Sequence, residues 1–331
     1  MKFRSAGRIA YAARFFHSMK PRVIFAVVVL ALIWGSTWMA IRVLVTAVPP
    51  LRSASLRFLL AAVILLIVIR IQRIPWPTGR GLHAAILLSL TMIAVPSALT
   101  FWSEQRLSSG LTALIFGAMP LFTAILTPWM AQDRESRRVP RDAWQAMIVG
   151  LGGLGFVLSG AISTSLWQAL GALGVLLAVL LYAGSSVYAK EGLGGVHPFV
   201  STAIQFFLGG LWLGVGSMAT ERARASAWST QSMIALLFLS VFSSALSFTL
   251  YYWLLQQIEP YQITSLQLVV PLIAVAEGAV FMHEMVPWTM LVGAALVLGS
   301  IAIIMRSKRE DEHAIALGLD RQIRLKSTLS K

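Results

Sequence analysis

Residues 23–161 and 168–305 read as one block of apolar segments written twice. At an offset of 148 positions, Trp34 falls on Tyr182, Arg42 on Lys190, Pro50 on Pro198, Arg57 on Gln205, Phe58 on Phe206 and Leu60 on Leu208. At an offset of 151, Leu99 meets Leu250, Trp102 meets Trp253, Pro120 meets Pro271, Leu121 meets Leu272 and Asp133 meets Glu284. Leu and Phe are common in this chain, so shared order and spacing carry the comparison. Each copy holds five apolar segments, and an odd number of crossings turns the second copy upside down. Carriers that alternate access to a site between their halves recur with this inverted design.

Hydrophobic residues make up 57% of the chain and charged residues 12%, far from the balance of a soluble domain. A hydrocarbon layer about 30 Å thick needs about 20 apolar helical residues to cross it. The pattern predicts ten such spans, at 23–44, 54–72, 82–102, 109–131, 143–161, 168–189, 198–218, 232–255, 261–282 and 288–305. Lipid offers no partner for backbone N–H and C=O groups, so these spans are expected to be helices. The expected fold is all-α and integral to the membrane, with ten transmembrane helices as two inverted five-helix repeats. A basic segment, 1–22, precedes the first repeat, and a polar tail, 306–331, follows the second. The first apolar stretch is long and lacks a small-residue cleavage pattern, so it reads as a retained span.

The formal charge of +14 invites a nucleic-acid reading, but its distribution argues against one. With ten spans and an internal N-terminus, 21 of the 27 Lys and Arg residues fall inside. The six outside are Arg42, Arg52, Arg57, Arg106, Arg222 and Arg224. This bias orients membrane proteins and places both termini in the cytoplasm. The integral chain is expected in a cell membrane of bacterial inner-membrane type, with lipid as its surroundings and no nucleic-acid partner. Cysteine is absent, which removes disulfides and thiolate metal sites. The five histidines have no accompanying HExxH or carboxylate cluster, so no metal site is expected. Neither a phosphate-binding G-x-x-x-x-G-K-[ST] loop nor a G-x-S-x-G elbow occurs, and no cofactor is implied.

Helical spacing puts Trp34, Trp38 and Arg42 on one face of the first span and Tyr182, Ser186 and Lys190 on the equivalent face of the sixth. Trp34 and Tyr182 fall near mid-depth, where an aromatic with a polar atom needs a buried partner or a wet cavity. Arg42 and Lys190 are long enough to reach the headgroups. Thr37, Trp38, Arg57, Ser185, Gln205, Tyr251, Tyr252 and Gln267 supply further aromatic and polar groups in the spans. Together with Trp34 and Tyr182 they are the candidate substrate-binding set, suited to a small amphiphilic molecule. The alternative for these residues is helix packing with locally satisfied polar atoms.

Glu277 interrupts an apolar run and is the candidate for ion coupling, with a proton as the candidate ion. Its alternative role is structural, including a pair with Arg57. Glu104 closes the third span and reads as an interfacial charge, Glu221 as part of a solvated connector, and Asp133 and Glu284 as structural or gating helix ends. Gly210 and Gly214 have packing-motif spacing, which fits a monomer or a homodimer. Pro120 and Pro271 predict a paired bend.

The run Trp34-Gly35-Ser36-Thr37, then Pro50, Arg57-Phe58, Leu99 and Pro120-Leu121-Phe122, ending at Asp133, resembles the repeat of EamA-type transporters in the drug/metabolite transporter superfamily. The second copy repeats it from Tyr182 to Lys190 and through Ser244-Ala245-Leu246, Tyr251, Pro271-Leu272, Glu284, Gly293 and Gly299. The resemblance spans 22–305 and implies ten helices around a central cavity. It also implies secondary-active export of metabolites, amino acids or drugs. The Gly-Glu that closes the family's first repeat reads Gln132-Asp133 here, and the second copy reads Met282-His283-Glu284. A membrane-embedded lipid-modifying enzyme and a structural or sensory membrane protein are the competing readings. The first needs clustered nucleophilic or acidic groups near one surface, and these are scarce.

Overall fold

The computed structural model describes residues 21–130, 141–162, 165–255 and 266–303, and all regular structure among them is helical. Helix α1 is Pro21–Ala47, α2 Pro50–Gln72, α3 Gly79–Glu104, α4 Ser109–Met130 and α5 Arg141–Ile162. Helix α6 is Leu166–Gly192, α7 Pro198–Thr220, α8 runs 230–255, α9 is Leu266–Phe281 and α10 Trp288–Ile303. Seven of these are long and apolar enough to cross a membrane, and shorter apolar stretches lie in α5, α9 and α10. The basic N-terminal segment, Asp133 and the C-terminal tail lie outside the described residues.

Local sequence sets several boundaries. Pro50 and Pro198 open the second helix of each repeat, where proline's missing N–H is no loss. Ser165 caps α6 by accepting from Gln168 N, and Ser229 with Ser232 forms a reciprocal capping box at α8. The paired bend expected at the prolines is realised in one repeat as a break. Helix α4 is interrupted at Ala118, just ahead of Pro120, whereas α9 continues through Pro271.

The two halves are inverted. Leu51 lies beside Gly216, Ser55 beside Gly214 and Leu59 beside Gly210, so the repeat-equivalent helices α2 and α7 run antiparallel. Helices α4 and α9 do the same through Gly110 with Val275 and Gly117 with Pro271. So do α5 and α10, through Gly150 with Ser300 and Gly153 with Leu296. The packing is reciprocal as well. Helix α1 packs on α9 and on the last part of α8, and α6 packs on α4 and on the last part of α3.

Each repeat also carries a π-helical segment in its third helix, Ser89–Ala94 in α3 and Phe238–Leu246 in α8. Shifted by 151, the first falls within the second. Segments with i→i+5 bonding are rare and concentrate at functional sites. Here α7 packs on the segment of α3, and α2 on the segment of α8.

Apolar side chains are also plentiful on the outside. Phe25, Ile71, Val215 and Phe281 are each more than 60% exposed, which water would penalise and lipid tails do not. Trp76, Trp129, Trp144, Trp167, Trp228 and Trp288 are exposed at or near helix ends, the depth at which aromatic belts meet headgroups. The chain is an integral membrane protein. Gly210 and Gly214 face α2, not the outside: a Cβ on Gly210 would meet Leu59, and one on Gly214 would meet Ser55.

Candidate functional site

A chain of polar groups crosses the interior between α2, α8, α1 and α9. Arg57 on α2 donates from Nε to Ser244 Oγ at 3.2 Å and from Nη2 to Ser243 Oγ at 3.0 Å. Ser243 shares a 2.7 Å hydrogen bond with Thr37 Oγ1 on α1. The neighbouring Ser36 donates to Glu277 Oε1 on α9 at 2.7 Å and also approaches the carbonyl of Leu32. Arg57 is surrounded by protein yet keeps some accessible surface. The pair between Arg57 and Glu277 raised by the sequence is not formed. Each charged group is held by hydroxyls instead.

Aromatic groups flank this chain. Trp38 packs against Phe116 with ring centroids 5.1 Å apart, and Phe116 packs edge-on against Tyr182 at 5.6 Å. Tyr182 is also within electrostatic reach of Arg57. Trp34 contacts Tyr251 at 5.9 Å, in a separate cluster with Leu254 and Ile273. The candidate residues therefore divide. Thr37, Trp38, Arg57, Tyr182 and Glu277 converge, whereas Trp34 and Tyr251 form a neighbouring group. Ser185 is buried on α6 and donates to Thr91 Oγ1 at 2.9 Å. Gln205 is buried on α7 and makes no hydrogen bond among the described residues. Tyr252 and Gln267 lie on helical backbone, but their side chains are outside the described residues.

The close approach of α1 and α9 has a steric cause. A Cβ on Gly35 would come within 2.3 Å of Ile273 Cγ2 and 2.6 Å of its Cβ. Only glycine lets the helices meet here, and the next residue, Ser36, then reaches Glu277.

Two acidic groups, Glu104 and Glu221, depart from expectation. Glu104 is fully buried, not interfacial, and neither carboxylate oxygen has a hydrogen-bond partner among the described residues. Arg42 turns inward and donates to the Glu104 carbonyl instead of reaching for headgroups. Lys190 is exposed. Glu221 is buried, not solvated, because it accepts from Leu51 N at 2.9 Å and Arg52 N at 3.0 Å at the start of α2. Glu284 accepts from Ser109 N at 2.8 Å and Ser109 Oγ at 2.9 Å at the start of α4. Both carboxylates satisfy orphan helix donors and face the positive end of the helix dipole. Each comes from the second repeat and caps a helix of the first.

A sequence profile of the EamA-like transporter family matches residues 21–159 and again residues 169–306. The chain belongs to the EamA-like transporter family. The two matched stretches are the two halves whose helices run antiparallel, so family and fold agree on the repeat.

Protein PagO of Salmonella typhimurium is 28% identical over 272 residues, covering 81% of this chain and 88% of that protein. The uncharacterized transporter YoaV of Bacillus subtilis is 26% identical over 280 residues, covering 83% and 94%. The uncharacterized inner membrane transporter YedA of Escherichia coli K12 is 29% identical over 255 residues, covering 76% and 80%. A solved crystal structure of another protein superposes with a TM-score of 0.60 at 14% identity, over 86% of this chain and 97% of that one. That likeness is one of fold alone. Family and relatives together make this chain a membrane transporter.

Ser243, Ser244 and Phe116 were missed as site residues. Serines in membrane helices ordinarily bond their own backbone, and nothing in the spacing of 238–246 announces a π-helical turn.

Proposed function

We propose that this EamA-family chain is a secondary-active exporter of small metabolites, amino-acid-like or amphiphilic, working by alternating access through the space between its inverted repeats. The observation that carries the reading is the polar chain from Arg57 through Ser243, Thr37 and Ser36 to Glu277. It joins helices of both repeats, α1 and α2 with α8 and α9, so a molecule held there contacts both moving halves. Trp38, Phe116 and Tyr182 offer an apolar wall beside it. Glu277 is the proton-coupling group in this reading, since a carboxyl within a span is costly to keep without a task. The proposal includes ten spans, with repeats at 23–161 and 168–305. It places the protein in a bacterial inner membrane with both termini cytoplasmic, as the charge asymmetry supports.

The test begins with metabolites that accumulate in the medium of cells overproducing the protein and fall in cells lacking it. The compound so found is loaded into proteoliposomes, and its flux is followed together with internal pH. Substrate-dependent proton movement is expected in the unaltered chain and should be absent in Glu277→Gln. Equal coupling in the variant would remove Glu277 from the mechanism, and absence of flux for every such compound would remove the transport reading.

A further inference from the structure

Between α2 and α7 lies a groove of about 480 Å³, the size of a small-molecule site. Its floor is the helix crossing, where Ser55 donates to the Gly210 carbonyl at 2.8 Å and Gly214 adds no side chain. Leu59 and Leu211 wall one end. Val215 and Met218 border it and are each more than 60% exposed, so it opens sideways to the bilayer. Arg52 and Arg222 line the other end, at the start of α2 and just past the end of α7. About ten helical residues of α7, or about 15 Å, separate Leu211 from that end. That is one leaflet's share of a hydrocarbon layer about 30 Å thick.

The arginine end is cationic without a counter-ion. Arg52 donates from Nη1 to Ser226 Oγ at 2.8 Å and to the Arg224 carbonyl at 3.3 Å, and from Nη2 to the Glu221 carbonyl at 3.2 Å. These acceptors fix the guanidinium, but all are neutral. Its Nε and the guanidinium of Arg222 make no hydrogen bond among the described residues. The neighbouring carboxylate of Glu221 is turned into the start of α2 and accepts from Ser217 Oγ at 2.9 Å. Topology does not account for these cations, because the bias that orients membrane chains collects Lys and Arg on the opposite side. Of the six assigned outside, Arg42 and Arg57 turn into the protein, whereas Arg52 and Arg222 stay at the groove.

We infer that the groove holds an anionic phospholipid of the phosphatidylglycerol type, with its phosphate on Arg52 and Arg222 and one acyl chain running past Val215 to Leu59 and Leu211. The phosphate supplies the missing negative charge and accepts from the free guanidinium donors. The chain fills the apolar length of the groove and gains its dispersion contacts. A headgroup that carries an ammonium brings another positive charge to the arginines and binds more weakly. Free phosphate compensates the arginines but leaves the apolar length empty. Arg52 belongs to the first repeat and Arg222 to the second, so the lipid clasps the two halves where α2 crosses α7.

Native mass spectrometry of the purified full chain tests this, with dioleoylphosphatidylglycerol or dioleoylphosphatidylcholine added to the micelles. At least one phosphatidylglycerol is expected to be held about tenfold or more tightly than phosphatidylcholine. Arg222→Gln should cut that preference about fivefold, the factor equivalent to about 1 kcal/mol per arginine at an anionic headgroup. Lys190→Gln removes an exposed cation from the opposite membrane surface and should leave the preference intact. Val215→Trp fills the groove with both arginines in place and should release the lipid. Leu211→Trp replaces it if Val215→Trp does not fold. Glycerol 1-phosphate, a phosphate headgroup without chains, should not displace the lipid even in large excess.

Equal losses in Arg222→Gln and Lys190→Gln would reduce the effect to diffuse attraction between a basic chain and anionic lipid, and would overturn the inference. Retention unchanged by a filled groove would remove the acyl chain from it. Displacement by glycerol 1-phosphate would make the arginines a site for free anions, and the absence of any preference for phosphatidylglycerol would leave no lipid site at all.

Discussion

Thr37 and Ser185, 148 residues apart, make equivalent hydrogen bonds from opposite halves of the protein. Thr37 on α1 bonds Ser243 in the π-helical segment of α8 at 2.7 Å. Ser185 on α6 bonds Thr91 in the π-helical segment of α3 at 2.9 Å. In each case the first helix of one repeat is tied to the widened turn of the other repeat's third helix. The symmetry ends one residue further out. Arg57 joins the first pair, and its counterpart Gln205 joins nothing among the described residues.

That contrast gives the first prediction. Thr37→Val and Ser185→Ala each remove one interhelical hydrogen bond, and such bonds in membrane proteins contribute on average about 0.6 kcal/mol. Similar small losses of thermal stability are expected from both in detergent. Flux should separate them, with Thr37→Val lowering transport severalfold more, because only its bond positions the hydroxyl that holds Arg57. Equal flux loss in the two variants would place the site in both halves alike.

The contact beneath the Glu277 bond gives the second. Gly35→Ala places a methyl within 2.3 Å of Ile273, a β-branched residue with little room to yield, so α1 and α9 must separate. Overpacking of this kind costs about 1–3 kcal/mol. The same shift carries Ser36 away from Glu277, so both melting temperature and coupled flux should fall. Gly152 on α5 has open space where a Cβ would go. Gly152→Ala should therefore be neutral or raise stability by about 0.5–1 kcal/mol, the helix-propensity difference alone. Equal melting temperatures for the two variants would mean that α1 and α9 are not held as closely as described.

The helical class and the inversion were legible in the sequence, because hydrophobic length and repeat spacing are properties of the lipid boundary and leave a mark on many residues. Glu277 and Arg57 stood out for the same reason, as charges where lipid tolerates few. Thr37 was a candidate as well, but its partner Ser243 and the adjacent Ser244 were not. Ser243 and Ser244 acquire their role from a π-helical segment, and i→i+5 bonding leaves no period that a 3.6-residue pattern reveals. Glu221 was misjudged because a carboxylate near a helix end looks solvated until the helix it caps is known. That helix belongs to the other repeat, as does the one that Glu284 caps. Glu104 was misjudged from its position at the end of α3, which carries no information on what α1 and α4 lay over it.

Those caps provide the third prediction. Glu284→Ala leaves Ser109 N without its acceptor and removes a negative charge from the start of α4. Glu221→Ala does the same to Leu51 N and Arg52 N at α2. Loss of a helix cap costs about 0.5–2 kcal/mol. Thermal unfolding in detergent should show both losses. Glu284→Gln and Glu221→Gln retain one acceptor oxygen and should recover part of each. A glutamine variant no more stable than its alanine counterpart would show that the negative charge, not the hydrogen bonds, accounts for the effect.

The last prediction concerns orientation, and the chain is already suited to it because it contains no cysteine. A single cysteine introduced anywhere is then the only thiol that a membrane-impermeant maleimide can label. Arg222, in the connector between α7 and α8, is exposed and lies on the side assigned to the exterior by the charge count. Arg80, at the start of α3, is exposed on the opposite side. In intact inner-membrane spheroplasts, Arg222→Cys should label without permeabilisation and Arg80→Cys only after it. The antiparallel course of α2 and α7 makes a second pair informative, since Arg73, beyond the end of α2, should behave like Arg80, and Trp228, before α8, like Arg222. A reversed pattern at all four positions would invert the whole molecule in the membrane while leaving the repeat intact. Labelling of both loops from the same side would contradict the inverted arrangement itself, because the antiparallel course of α2 and α7 puts the end of one on the side where the other begins.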